Sequence, residues 1–186
     1  MFYHRLMETS FVITAPGIII TTIGVLVAVM VGFEYFRLRD YRREFAALRE
    51  ELQTEMWRRE RASQRLLASY GVADVDQRIA LLEEAIRTDA RVFNVHNALG
   101  YAWLEKGNAV AAIQAFNTAI LHHPRAKEGY CDLAFAHLQN GAPELALQAL
   151  RAAIKADPST RADIAADARF VPLHADARFG RLIIPS

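Results

Sequence analysis

The spacing of apolar and polar positions changes character three times along this chain. Residues 11–33 carry no charged side chain. As a helix that run covers about 34 Å at roughly 1.5 Å per residue, enough to cross a hydrocarbon core of about 30 Å with some tilt. Pro16 and Gly17 fall in its first third, where a kink is expected, and Thr14, Thr21 and Thr22 are placed to return hydroxyl bonds to the backbone. A cleaved secretory signal competes with this reading. Against it, the run exceeds the usual apolar core of roughly 7 to 15 residues, and no small-x-small site precedes the Arg-rich flank. Next, Leu38, Tyr41, Phe45, Leu48 and Leu52 recur at alternating steps of three and four. That places one apolar stripe along a helix, the pattern of a short coiled-coil seam. Residues 34–70 lack Pro and Gly, and Glu55 precedes Arg58 and Arg59 in the favourable direction for helical ion pairs. A continuous stalk of roughly 50 Å is predicted. The stripe fades after Leu52, so the stalk either forms a homodimer or lies against its own C-terminal domain. Further on, apolar residues return at three and four over residues 92–104 and 127–138, and Gly107 and Gly141 are placed to end those helices. Asn108 is positioned to cap the following helix, and Pro143 falls in the first turn of its counterpart.

These helix pairs repeat. Leu99, Gly107, Ala119 and Pro124 recur as Leu133, Gly141, Ala153 and Pro158, a period of 34 residues, which belongs to helix-pair solenoids. Residues 93–158 resemble two consecutive tetratricopeptide repeats. The first match is carried by Leu99, Gly100, Trp103, Gly107, Ala112, Phe116, Ala119 and Pro124. The second is carried by Leu133, Ala134, His137, Gly141, Ala146, Leu150, Ala153 and Pro158. One such pair cannot bury its faces alone, so neighbours are needed at both ends. Shifted back by one period, Leu82, Ala85 and Ala90 fall beneath Phe116, Ala119 and Pro124. Residues 76–88 therefore read as the second helix of a degenerate repeat, with the stalk end as its first helix and a capping role. On the carboxyl side, Thr160 and Asp163 resemble a capping box opening a short helix, and Pro172 stops a third full pair. The segment Ala166-Asp-Ala-Arg-Phe170 is then echoed by Ala175-Asp-Ala-Arg-Phe179, with Leu173 and Leu182 three residues after each Phe. This resembles the Asp-x-x-Phe-x-x-Leu tails that close bacterial tetratricopeptide arrays, which implies packing over the last helix pair rather than peptide docking.

The predicted fold is all-α. It comprises an N-terminal tail (1–10), a single transmembrane helix (11–33), a helical stalk (34–70), a solenoid of about two and a half to three repeats (71–158) and a C-terminal capping segment (159–186). Hydrophobic residues make up 53% of the chain, and the excess over a globular average lies in the apolar run. A net charge of +1 with basic and acidic residues interleaved argues against a nucleic-acid partner. Cys131 is the single cysteine, so no intrachain disulfide forms. Arg5 alone flanks the apolar run on the amino side, against Arg37, Arg39, Arg42, Arg43 and Arg49 on the other. This asymmetry predicts a cytoplasmic C-terminal domain, and the expected location, in keeping with the likeness to bacterial tetratricopeptide proteins, is the bacterial inner membrane. Tyr35 and Phe36 read as interface anchors. The Arg cluster can also meet anionic headgroups, diluted by Asp40 and Glu44.

No phosphate-binding glycine loop, HExxH or GxSxG occurs, and neither catalysis nor a cofactor is expected. His122-His123 is the one metal candidate, at a helix end before Pro124, and is read as non-ligating. Cys131 and His137 fall on different sides of one helix and make a poor ligand pair. The resemblance implies a concave groove lined by Asn94, Asn97, Tyr101, Leu104 and Glu105 from the first pair. Glu128, Cys131, Phe135, Leu138 and Gln139 would join them from the second. Tyr101 and Phe135 are the expected anchors for a peptide, with Glu105 and Glu128 favouring basic ligands. Ala98 and Asp132 occupy slots where chaperone-binding relatives carry Asn, which disfavours an acidic tail as ligand. The expected role is a membrane-tethered adaptor that holds a protein or peptide partner at the membrane. Two alternatives stay open: a periplasm-facing accessory protein of secretion or envelope assembly, and a self-assembling scaffold.

Overall fold

The computed structural model describes residues 2–184, with side chains from Gly17 onward. The side chains of His4, Arg5 and Thr14, and the last two residues of the capping segment, lie outside the described set. The described residues form helices without a strand, in two units, Met1–Thr54 and Glu55–Ser186.

The first unit is the N-terminal part of α1 (Phe2–Ser69). The helix starts inside the stretch read as a tail and continues through Pro16 and Gly17. The Thr21 hydroxyl donates to the carbonyls of Gly17 and Ile18 (both 2.9 Å) and that of Thr22 to Ile18 (2.7 Å). These bonds satisfy the hydroxyls inside an apolar segment, where an unpaired polar group would be costly. With a mean hydropathy of 2.2 over its most apolar window, α1 is long and apolar enough to cross a membrane.

In the second unit the last turns of α1 bury Ala62, Leu66 and Ser69. With α2 (Val75–Thr88) and the start of α3 (Val95–Glu105) they form one apolar cluster around Leu82, Ala85, Val92 and Val95. A second cluster joins α4 (Ala109–His122), α5 (Lys127–Gln139), α6 (Pro143–Ala156) and the C-terminal segment around Phe116, Leu150, Phe170 and Phe179. Trp103 packs against both clusters.

The two pairs α3–α4 and α5–α6 end their first helices identically. Gly107 (φ 80°) donates to Leu104 and Asn108 to Trp103, while Gly141 (φ 72°) donates to Leu138 and Ala142 to His137. This is the Schellman arrangement, which needs a left-handed residue and so favours glycine. The Asn108 side chain accepts from the Ala111 amide at 3.0 Å, and Pro143 opens α6. Gly100 faces the Phe116 ring so closely that a Cβ there would lie 2.5 Å from it.

Two expectations are corrected. α3 begins at Val95 rather than at residue 92, because Asp89-Ala90-Arg91 forms a turn and Asn94 takes a left-handed conformation (φ 69°). Thr160 and Asp163 do not form a capping box: α7 (Thr160–Ala166) follows Ser159 without a side-chain cap, Thr160 is buried, and Asp163 reaches Lys127 of α5 (3.1 Å). A 3-10 helix over Ala168–Leu173 accommodates Pro172, and α8 (Ala177–Ile183) closes the unit. Phe170, Leu173 and Phe179 are each at most 2% exposed, in the cluster with α5 and α6, and Leu182 packs at its edge.

Candidate functional site

The site is built around a buried carboxylate. Asp132 on α5 is 7% exposed, and a charge so placed needs several partners to offset its lost hydration. α3 supplies two, one turn apart and therefore on one face. Asn97 Nδ2 donates to Oδ2 at 2.7 Å, and the Tyr101 hydroxyl donates to Oδ1. The third is Arg169, whose Nη1 donates to Asp132 Oδ1 (2.9 Å) and to the Tyr101 oxygen (2.7 Å).

Arg169 is itself held by Asp167. The Arg169 amide donates to Asp167 Oδ1 (2.9 Å), while Nε and Nη2 donate to Oδ2 at 2.9 and 2.6 Å. One edge of the guanidinium is thus fixed within its own turn, and Nη1 is left for Asp132. The group lies 5.7 Å from the Phe135 ring centre and 5.6 Å from that of Phe170, within cation–π range. Tyr101 also stands edge-on to Phe116, 5.4 Å between centres.

The electrostatics follow from this geometry. The bonds from Arg169 hold the Asp167 carboxyl below the usual carboxylate range despite its burial. Burial first, and then the Asp132 carboxylate, push the Tyr101 phenol well above its ordinary value, so it remains a donor. A small cavity of about 190 Å³ opens beside the ion pair, lined by Lys127, Glu128, Cys131 and Asp163 among others. Burial pushes the Cys131 thiol up to about 11, favouring its protonated form. The arrangement presents aromatic edges, a fixed cation and carboxylates on one face.

The predicted groove residues divide accordingly. Asn97, Tyr101 and Phe135 converge on the Asp132–Arg169 pair, and Glu128 and Cys131 line the adjoining cavity. Leu104 and Leu138 pack against the apolar cluster. Asn94 turns away, donating to the Tyr70 hydroxyl at 3.2 Å, and Glu105 pairs with Arg78 of α2 at 2.7 Å. Gln139 is exposed at the end of α5. Of the histidines, His122 stacks on His96 (5.2 Å between centres) and His123 meets Phe93 edge-on (5.1 Å). Among the described residues no group of three His, Cys, Asp or Glu is arranged to hold a metal ion.

Arg169 and Asp167 complete the cluster and are not among the predicted groove residues. Their signal was present in triplicate: Asp89-Ala-Arg-Val92, Asp167-Ala-Arg-Phe170 and Asp176-Ala-Arg-Phe179. In each, the Asp Oδ1 accepts from the amide and the Nε of the Arg two residues later. The following apolar residue is buried in each. No protein-family model and no curated protein matches the chain.

Proposed function

We propose that this chain is a membrane-tethered scaffold of tetratricopeptide type, whose α3–α5 face binds a protein or peptide partner. α1 would cross the bacterial inner membrane once, leaving the second unit in the cytoplasm. The observation that carries the binding role is the polar cluster itself. Tyr101 remains 41% exposed while its hydroxyl is fixed by Asp132 and Arg169, so an aromatic anchor is held in place before any ligand arrives. Preorganisation of that kind lowers the entropy lost on binding. Phe135 and Glu128 from α5 stand on the same face, which fits an extended or helical segment carrying basic residues. The identical Schellman ends at Gly107 and Gly141, one repeat apart, support the repeat reading. The tethering itself would act by raising a partner's effective concentration beside membrane-bound clients.

The test is site-specific photocrosslinking in cells, with the probe at Gln139 or Glu128 and a control at Leu121, exposed on α4, alongside C-terminal reporter fusions. A discrete adduct at the first two positions that is lost with Tyr101→Ala, together with a cytoplasmic reporter signal, supports the proposal. Equal labelling at all three positions overturns the binding face. A signal from outside only overturns the orientation.

A further inference from the structure

The exposed stripe on α1 is longer than its stalk portion. Stepping back by sevens from Leu52 gives Phe45, Leu38, Val31, Gly24 and Gly17, so one heptad position runs unbroken through the apolar segment. The companion position holds Leu48, Tyr41, Val27 and Ile20. Its remaining member, Glu34, bonds Arg37 within its own turn at 2.7 Å. The large apolar members of both rows are all more than half exposed. At Gly17 and Gly24 an added Cβ would meet nothing within 4 Å, so the helix backbone lies open there to a close neighbour.

The charges beside the stripe identify that neighbour. Arg42 and Arg49 flank it on one side, and Glu44 and Glu51 on the other, where Arg37, one heptad before Glu44, is bonded to Glu34 of its own chain at 2.7 Å. Over residues 42–51, two such helices paired in parallel set each basic flank against the partner's acidic flank, whereas antiparallel pairing sets like charges together. Glu44 of one helix then meets Arg49 of the other, twice by symmetry. Among the described residues neither side chain has an ion-pair partner in its own chain. A seven-residue repeat held over five steps also matches the period of a left-handed two-stranded coil. We infer that this face of α1 is the seam of a parallel, in-register homodimer, close-packed at Gly17 and Gly24 and closed by side chains from Leu38 to Leu52. The inference concerns α1 alone and holds whether or not the α3–α5 face binds a peptide.

Bismaleimide cross-linking of the full chain in membranes tests it, with one cysteine introduced at a time. Cys131 is buried and gives the background. Leu38→Cys, Phe45→Cys and Leu52→Cys should each yield covalent dimer, whereas Arg43→Cys and Ala47→Cys, on the outer face, should not. An antiparallel pair would link like positions only near its crossing point, so dimer at one of the three seam positions alone overturns the inference. So does uniform labelling of all five, or none. Glu44→Arg should lower the dimer fraction several-fold, and adding Arg49→Glu should restore it; failure of the double variant to recover overturns the charge register.

Discussion

Gly100→Ala asks whether the α3–α4 contact is as tight as its geometry states. The added methyl would sit 2.5, 2.6 and 2.8 Å from three atoms of the Phe116 ring, against an optimum near 3.5–4.0 Å for carbon pairs. Phe116 is fully buried and also meets Tyr101 edge-on, so its ring cannot swing into solvent. Overpacking of this kind costs about 1–3 kcal/mol, with the upper half of that range expected here. Replacing glycine by alanine inside a helix returns about 0.8–1 kcal/mol, leaving a net loss of about 1–2 kcal/mol. The assay is denaturant unfolding of the detergent-solubilised chain, followed by Trp103 fluorescence with Trp57→Phe as background, since Trp57 is 65% exposed. The sign is checked in a second background. Once Phe116→Leu removes the ring, Gly100→Ala should stabilise by about the helix-propensity gain alone. A variant as stable as the parent with Phe116 intact, or two substitutions that simply add, would refute the reasoning.

Three further outcomes are expected. Arg169→Met leaves Asp132 buried without its cation and should destabilise by about 1–3 kcal/mol, the lower values reflecting the partial exposure of Arg169. Adding Asp132→Asn should recover part of the loss in the same unfolding assay. Asn108 and Ala142 hold equivalent positions with similar backbone angles, and only Asn108 caps its helix; Asn108→Ala should cost about 1 kcal/mol and Ala142→Asn should gain a similar amount. Burial, and for His96 also the neighbouring His122, depress the His96 and His137 pKa values, so the folded state favours their neutral forms. Their contribution to stability is complete above the unfolded value of about 6.5 and declines as pH falls below it. The melting temperature should therefore drop between about pH 7 and pH 5, less steeply with His96→Gln, and a flat profile would show that neither ring titrates with unfolding.

Much of the helical layout was legible because it depends on local chemistry. Gly107 and Gly141 stop helices through their own backbone freedom, and Asn108 and Pro143 start helices through groups within one turn. The starts of α3 and α7 were not legible in the same way. Apolar spacing placed the first at residue 92, but Val92 is buried from the turn that Asp89 and Arg91 make, and the helix waits for Val95. The threonine at 160 matched a capping pattern, yet its position is decided by packing under α7 and by the Lys127–Asp163 pair. For the candidate site, Asn97, Tyr101 and Phe135 were implied by the resemblance of residues 93–158 to tetratricopeptide repeats. Arg169 did not, because its role depends on a contact 37 positions away in the chain.

The three Asp-Ala-Arg turns explain why that distant contact forms so specifically. Each turn fixes the Arg backbone amide and Nε on the Asp, which aims the rest of the guanidinium and drives the next apolar residue into the core. What differs is the second acid each Arg reaches. Arg91 reaches the half-exposed Glu55 at 3.8 Å, and Arg178 reaches the exposed Glu144 at 3.3 Å. Only for Arg169 is that second acid a buried carboxylate, Asp132, 2.9 Å away. Surface pairs of the first kind contribute little, whereas a buried acid depends on its cation. The C-terminal segment thus does more than cover the last helices. It supplies the cation that pairs with Asp132, and on the proposed binding role this leaves Glu128 and the aromatic edges of Tyr101 and Phe135 to set what the face recognises. On the proposed reading, a ligand's basic group is then met at the exposed rim, and its apolar part by rings that are already in place.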